Sequence, residues 1–157
     1  MNDRFAKDVG LSTQIMVTKR FPGIDDYLHL RAATGLLPKT REAARRGLVN
    51  TLFGVSLVRD GKTVGMGRVI GDNGTLFTVC DIAVVPALQG RGLGARILTA
   101  LDIWLRSNVP ESAYVTLVAE GGAKHLYARF GFVESAPAAV NMEYVMLADG
   151  KRSTDAE

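Results

Sequence analysis

The first regular pattern along the chain is a short apolar run, Ile15–Thr18, which predicts a strand. From Ile24 to about Thr34, and again from Thr40 to about Leu48, apolar residues recur at helical spacing, with Gly35 and Pro38 breaking the run between two short helices. Residues 51–85 then alternate. Phe53, Val55 and Leu57 fall on one face of an extended chain, while Asp60-Gly61 and Asn73-Gly74 are hairpin turn signals that divide the segment into three antiparallel strands. After Pro86 the period lengthens: Ile97, Leu98, Leu101, Trp104 and Leu105 share one face of a helix running from near Gly92 to near Asn108. Tyr114–Ala119 predicts a further strand, Gly122–Phe130 a helix stopped by Gly131, and Phe132–Val133 and Val140–Leu147 two closing strands. With an antiparallel meander and one strand-helix-strand crossover from Leu76 to Ala119, the expected architecture is a mixed α/β sheet in a single domain.

Composition narrows the function without naming it. A hydrophobic fraction of 47% with 22% charged residues is that of a globular chain with a substantial core. The formal charge of +3 is spread along the sequence with no dense basic block, so no nucleic-acid partner is expected, though anionic ligands are mildly favoured. One cysteine, Cys80, allows no internal disulfide, and no stretch approaches the roughly 20 apolar residues of a membrane span. A cytoplasmic protein is the expectation, with a folded domain at residues 14–147 and polar, frayed ends at 1–13 and 148–157. His29 and His125 have no metal-ligand spacing, and no metal is implied.

The chemistry-bearing segment is Gln89-Gly90-Arg91-Gly92-Leu93-Gly94-Ala95, between an apolar strand and an amphipathic helix. Three glycines within five positions allow a tight backbone turn whose N–H groups converge, and the helix start adds unpaired N–H groups and a positive dipole end. A phosphate or pyrophosphate suits both features. The alternative is that the glycines only permit close packing of helix on strand. Gly90 to Ala95 also fits the dinucleotide fingerprint G-x-G-x-x-G/A, but that motif should follow a first parallel strand directly. Here the strand closes a meander, and Pro86 to Gln89 intervene.

The segment resembles the cofactor loop of the GCN5-related N-acetyltransferase family, [Q/R]-x-x-G-x-[G/A], through Gln89, Gly92 and Gly94. Upstream, Asp81-Ile82-Ala83-Val84-Val85-Pro86 is similar to the family's strand that pairs with a pantetheine arm. Downstream, Ala123, Leu126, Tyr127, Gly131 and Phe132 match its signature A-x-x-L-Y-x-x-x-G-F, with Glu120 where that signature usually has Asn. The resemblance implies a mostly antiparallel mixed sheet flanked by helices and splayed between strands 4 and 5. It implies acetyl-CoA as acyl donor, held by Ile82, Ala83, Val84 and Gln89 to Ala95, and a small-molecule amine as acceptor. Dimers are frequent in the family, so a homodimer is compatible with it.

Amine acetylation needs a base for the ammonium, a donor for the departing thiolate and a group to hold the oxyanion. Backbone N–H groups near Ile82 to Val84 suit the oxyanion. By resemblance Tyr127 is the acid; otherwise it is a packing aromatic. Asp81 is the candidate base if a bulge turns it to the cleft, and Glu120 is the alternative base or amine anchor. Cys80 reads as a small buried side chain rather than a nucleophile. The loop Thr34-Gly35-Leu36-Leu37-Pro38, with Arg31, Lys39 and Arg41 nearby, either covers the acceptor or contributes core and a solvated basic face. An acyl-CoA-binding sensor without turnover, and more remotely a nucleotide-binding oxidoreductase, are the competing functions.

Overall fold

The computed structural model describes residues 14–155. Five strands lie side by side in chain order: β1 (Met16–Thr18), β2 (Phe53–Arg59), β3 (Lys62–Gly71), β4 (Leu76–Val84) and β5 (Tyr114–Thr116). The first four are antiparallel neighbours and β5 runs parallel to β4. Both hairpin turns form where the turn residues stand, with Asp60 and Asn73 in the left-handed region. Asp72 closes the second turn by accepting N–H bonds from Gly74, Thr75 and Leu76 through one carboxylate oxygen.

Helices cover both faces of the sheet. On one face α3 (Leu93–Asn108) presses Leu93, Ile97, Leu98 and Leu101 onto Val55, Leu57, Val69, Phe77 and Val79, and Trp104 stacks on Phe53 at 5.3 Å. On the other, α1 (Ile24–Thr34) and α2 (Arg41–Leu48) bury Tyr27, Leu30 and Ala44 against Met66 and Ala83. Thr40 caps α2 by accepting the Ala43 N–H, and Gly35 ends α1 in the left-handed conformation that a side chain would resist. None of these helices is long and apolar enough to cross a membrane.

The ladder between β3 and β4 contains a bulge. Met66 pairs with Ala83 and Arg68 with Cys80, so Gly67 alone stands opposite both Asp81 and Ile82. Asp81 takes up the extra residue at φ 56°. Residues facing each other across an antiparallel ladder share a face, so Cys80, with Arg68, looks toward α1. Asp81 also looks that way, because its carboxylate reaches Arg31 of α1 and Arg68. Two successive side chains thus project from the same face, which simple alternation forbids.

The end of the chain departs from the expectation. Strand β5 stops at Thr116 rather than Ala119, and a 3-10 turn (Gly121–Ala123) leads into a short α4 (Lys124–Ala128). The closing strands expected at Phe132–Val133 and Val140–Leu147 do not form. Val133 and Met142 are almost fully exposed, and the backbone of the second segment satisfies itself locally, Leu147 N–H donating to Lys151 and Ser153 N–H to Val145. An alternating apolar run becomes a strand only against a paired edge, and these residues find their hydrogen bonds in a turn instead. Residues 1–13 lie outside the described part, so their expected fraying has no counterpart here; residues 148–155 are exposed.

Gly67 leaves room for α3 to lie on the sheet: a Cβ there would collide with Ile97 Cγ2 and lie 2.7 Å from Ile82 Cδ1. Because Ile97 Cγ2 sits near the helix backbone, it cannot swing aside. Gly67→Ala should therefore lower unfolding stability by about 1–3 kcal/mol, the usual cost of overpacking, as read from urea denaturation. A midpoint equal to the wild type would show that the contact relaxes freely.

Candidate active site

Pairing between β4 and β5 covers only Leu76–Thr78 against Tyr114–Thr116. Beyond Thr78 the two strands part, because the bulge at Asp81 redirects β4 while the chain after Thr116 leaves the sheet. Into this split opens a cleft of about 540 Å³. Backbone groups of Val79 to Val84 that point toward β5 have no strand partner there. One is engaged: the Val84 carbonyl accepts the Gln89 side-chain amide at 2.9 Å, which ties the following loop to the strand end.

That loop runs through a 3-10 turn at Pro86–Leu88 into Gly90 and Gly92, both left-handed at φ 74° and 76°. Gly92 is the N-cap of α3 and supplies no side-chain acceptor, so the first N–H groups of the helix, from Leu93 to Ala95, are left for another partner. Space around Gly90 and Gly92 is open, with no atom within 4 Å of a built Cβ, whereas a Cβ on Gly94 would meet Leu126 at 3.2 Å. The three glycines therefore divide the work: two shape an open cradle and the third admits α4. A cradle of free N–H groups at a sixteen-residue helix start, with Arg91 exposed on the loop, fits a pyrophosphate.

The cleft itself, which Gln89 at the start of that loop also lines, gathers the candidate acid and base. Tyr127 of α4 lines it, with its ring edge-on to Phe132 at 6.4 Å. Burial pushes the Tyr127 phenol above its ordinary value, and the charge of Glu120 pushes it further the same way. Glu120 stands exposed at the mouth of the same cleft. Leu117 and Val118, just after β5, line the opposite side, and Thr78 of β4 lies where the two strands part.

Asp81 reaches the cleft wall, but as a member of a buried ion triad. Arg31 Nη1 donates to its Oδ1 at 2.5 Å and Arg68 Nε to its Oδ2 at 2.6 Å, with all three side chains at most 10% exposed. Each oxygen already accepts a guanidinium N–H, so an amine entering the cleft meets a paired carboxylate rather than the free base considered from sequence. Burial opposes the charge on Arg68, yet the charge and hydrogen bond of Asp81 outweigh it and hold the guanidinium above its ordinary value. Arg68 also lies over the rings of Phe21 and Tyr27. Sequence reasoning passed over Arg68, although one arginine inside the apolar run Met66-Gly67-Arg68-Val69-Ile70 was a visible signal of a buried partner. Cys80, beside the triad, has its thiol pushed up to about 12, first by burial and then by the charge of Asp81.

Of the basic residues near the α1–α2 loop, Arg31 lines the cleft, whereas Arg41 turns to Asp25 on the surface and Lys39 is exposed. Leu36 packs against the α1 core and lines the cleft, and Leu37 is half-exposed.

Comparison with known proteins agrees with this geometry. The model of the acetyltransferase (GNAT) domain matches residues 37–146. A Pyropia yezoensis protein described as an uncharacterized N-acetyltransferase is 29% identical over 65% of this chain, and the match spans only 60% of that relative's length. Among solved structures, a Staphylococcus aureus protein assigned as a probable acetyltransferase is 42% identical, with a TM-score of 0.79 over 83% of this chain and 98% of its own. A GNAT-family acetyltransferase from Streptococcus pneumoniae is 25% identical at a TM-score of 0.67, over 84% of this chain and 98% of its own. With the family model spanning most of the chain, from the α1–α2 loop past the cleft and α4, this protein belongs to the GNAT acetyltransferase family.

Proposed function

We propose that the chain transfers an acetyl group from acetyl-CoA to the primary amine of a small molecule by direct attack on the thioester. The observation that carries this reading is the order of three features along one path. The cleft holds the unpaired edge of β4 and the protonated phenol of Tyr127, and its lining reaches Gln89, from which the chain passes through two left-handed glycines to the uncapped start of α3. In this reading the loop Gln89 to Ala95 holds the phosphates, with N–H groups of Leu93, Gly94 and Ala95 as donors, and the free edge at Ile82, Ala83 and Val84 takes the pantetheine arm. A backbone N–H on the same edge stabilises the oxyanion.

The proton steps follow from the side chains at the mouth. An alkylammonium has a pKa of roughly 10 and must lose a proton before its nitrogen can attack. Glu120, exposed and unencumbered by the triad, accepts that proton, directly or through water. The nitrogen lone pair then forms the C–N bond as the C–S bond breaks, Tyr127 gives its proton to the thiolate, and the second proton shed by the acylated nitrogen restores the phenol through solvent. Tyr127 is suited to this because both burial and Glu120 keep it protonated.

Three outcomes test the proposal. Gly92→Val, which puts a branched Cβ at φ 76° into the open cradle, should lose acetyl-CoA binding by calorimetry while remaining folded; unchanged affinity would remove the loop from the donor site. Tyr127→Phe should lower kcat by about 10²- to 10⁴-fold with the acetyl-CoA KM little changed. Since an acid is active only while protonated, wild-type kcat should fall as pH rises past the ordinary phenol range near about 10, and that limb should be missing in the variant. For Cys80, a thiol at about 12 is almost wholly protonated at neutral pH, so mass spectrometry of enzyme mixed with acetyl-CoA should show no acetylated chain. A stoichiometric acetyl adduct on Cys80 would replace direct attack with a two-step transfer.

A further inference from the structure

Arg31 holds the α1–α2 loop from both sides. Its backbone carbonyl accepts the N–H of Gly35, which caps α1, and the N–H of Leu36 at 3.1 Å. Its guanidinium, reaching the other way, donates from Nε to the Leu37 carbonyl at 2.8 Å and from Nη2 to the same oxygen. Three consecutive residues of the loop are therefore tied to one arginine, and one of them, Leu36, lines the cleft. The arginine is itself fixed by Asp81 at the bulge of β4.

We propose that Arg31 and Asp81 are positioning residues, the ion pair transmitting the geometry of the β4 bulge to the loop Gly35–Pro38 and so setting the wall against which the acceptor amine is held. Connectivity and donor count both point to this role. Arg31 uses Nε, Nη1 and Nη2 toward Leu37 and Asp81, and a planar fork with these donors at fixed angles defines where a carbonyl and a carboxylate stand relative to each other. A lysine at the same place would satisfy the charge of Asp81 without that fork. The pair is buried, so water does not compete for its geometry. Arg68 secures the other carboxylate oxygen and reaches Thr51 Oγ1 at 3.0 Å, so Asp81 cannot follow Arg31 if the loop moves. The phosphate loop at Gln89 to Ala95 has no part in this chain of contacts, and the proposed pantetheine edge beyond Asp81 is held by its own ladder, Ala83 with Met66 and Val84 with Gly65. The acceptor side alone should therefore respond when it is loosened.

This inference rests on the acetyl-transfer reading, and the experiment separates the two. Arg31→Lys retains the buried charge and is the decisive variant; Gly35→Ala strains the left-handed cap at φ 74° without touching the triad and serves as a second, independent loosening of the loop. Asp81→Asn supplies the pH profile. Acetyl-CoA affinity is measured by calorimetry, and thiol release is followed with 2-phenylethylamine, glycine and putrescine as acceptors. Misplacing one wall by about 1 Å predicts a 10- to 100-fold loss in kcat/KM for the acceptor in Arg31→Lys and a loss in the same direction in Gly35→Ala. The acetyl-CoA dissociation constant should stay unchanged in both, and the acidic limb of the pH profile should persist in Asp81→Asn. The proposal is overturned if acceptor kcat/KM is unchanged in Arg31→Lys and Gly35→Ala, if acetyl-CoA affinity falls in parallel, or if the acidic limb vanishes in Asp81→Asn, which would make that carboxylate the base. Absence of thiol release by the wild type with every amine, despite acetyl-CoA binding, would defeat the acetyl-transfer reading and this inference with it.

Discussion

The carboxylate of Asp81 between two buried guanidinium groups is the constraint on which the site depends. A non-glycine residue at φ 56° inside a strand is costly, by roughly 1–3 kcal/mol in general, and it persists only where surrounding contacts over-determine it. Arg31 and Arg68 supply that determination. Removing one partner of such a buried pair typically costs about 3–5 kcal/mol, because the remaining charge is stranded. Two features meet at this part of β4. On the β5 side the cleft opens where β4, still paired with β3, parts from β5; on the α1 side the bulge places a carboxylate where only alternate residues would otherwise point.

The donor half of the site depends on a different principle. In the proposed acetyl-CoA reading recognition falls to the backbone, through N–H groups left free at the start of α3, and side chains mainly keep the backbone in place. Gln89 shows this division: its amide is spent on the Val84 carbonyl, which holds the loop to the end of the strand. A site built from backbone donors needs glycine for its turns and a fixed helix for its direction. Packing of Leu93, Ile97, Leu98 and Leu101 on the sheet provides that fixed direction.

Legibility in the sequence followed the range of the interactions. Helices α1, α2 and α3 were readable because their apolar spacing and stop signals are local, and Asp60-Gly61 and Asn73-Gly74 located the hairpins because a left-handed turn residue is a local demand. The glycine cradle was legible for the same reason. The facing of Asp81 was not, because a bulge depends on the register of two strands, and its partners Arg31 and Arg68 lie 50 and 13 residues away. The strand pattern of Val140–Leu147 misled in the opposite sense: alternation states which faces a strand would have, but not whether an edge is there to pair with.

The central claim is that the opened edge of β4 and the start of α3 form one continuous donor site. Backbone hydrogen exchange, followed residue by residue with and without acetyl-CoA, tests it most directly. The account predicts new protection at the β5-facing amides of Val79 to Val84 and at those of Leu93 to Ala95 together, with the β2–β3 ladder unchanged. Protection at neither segment, or at the helix start alone while β4 continues to exchange freely, would contradict it.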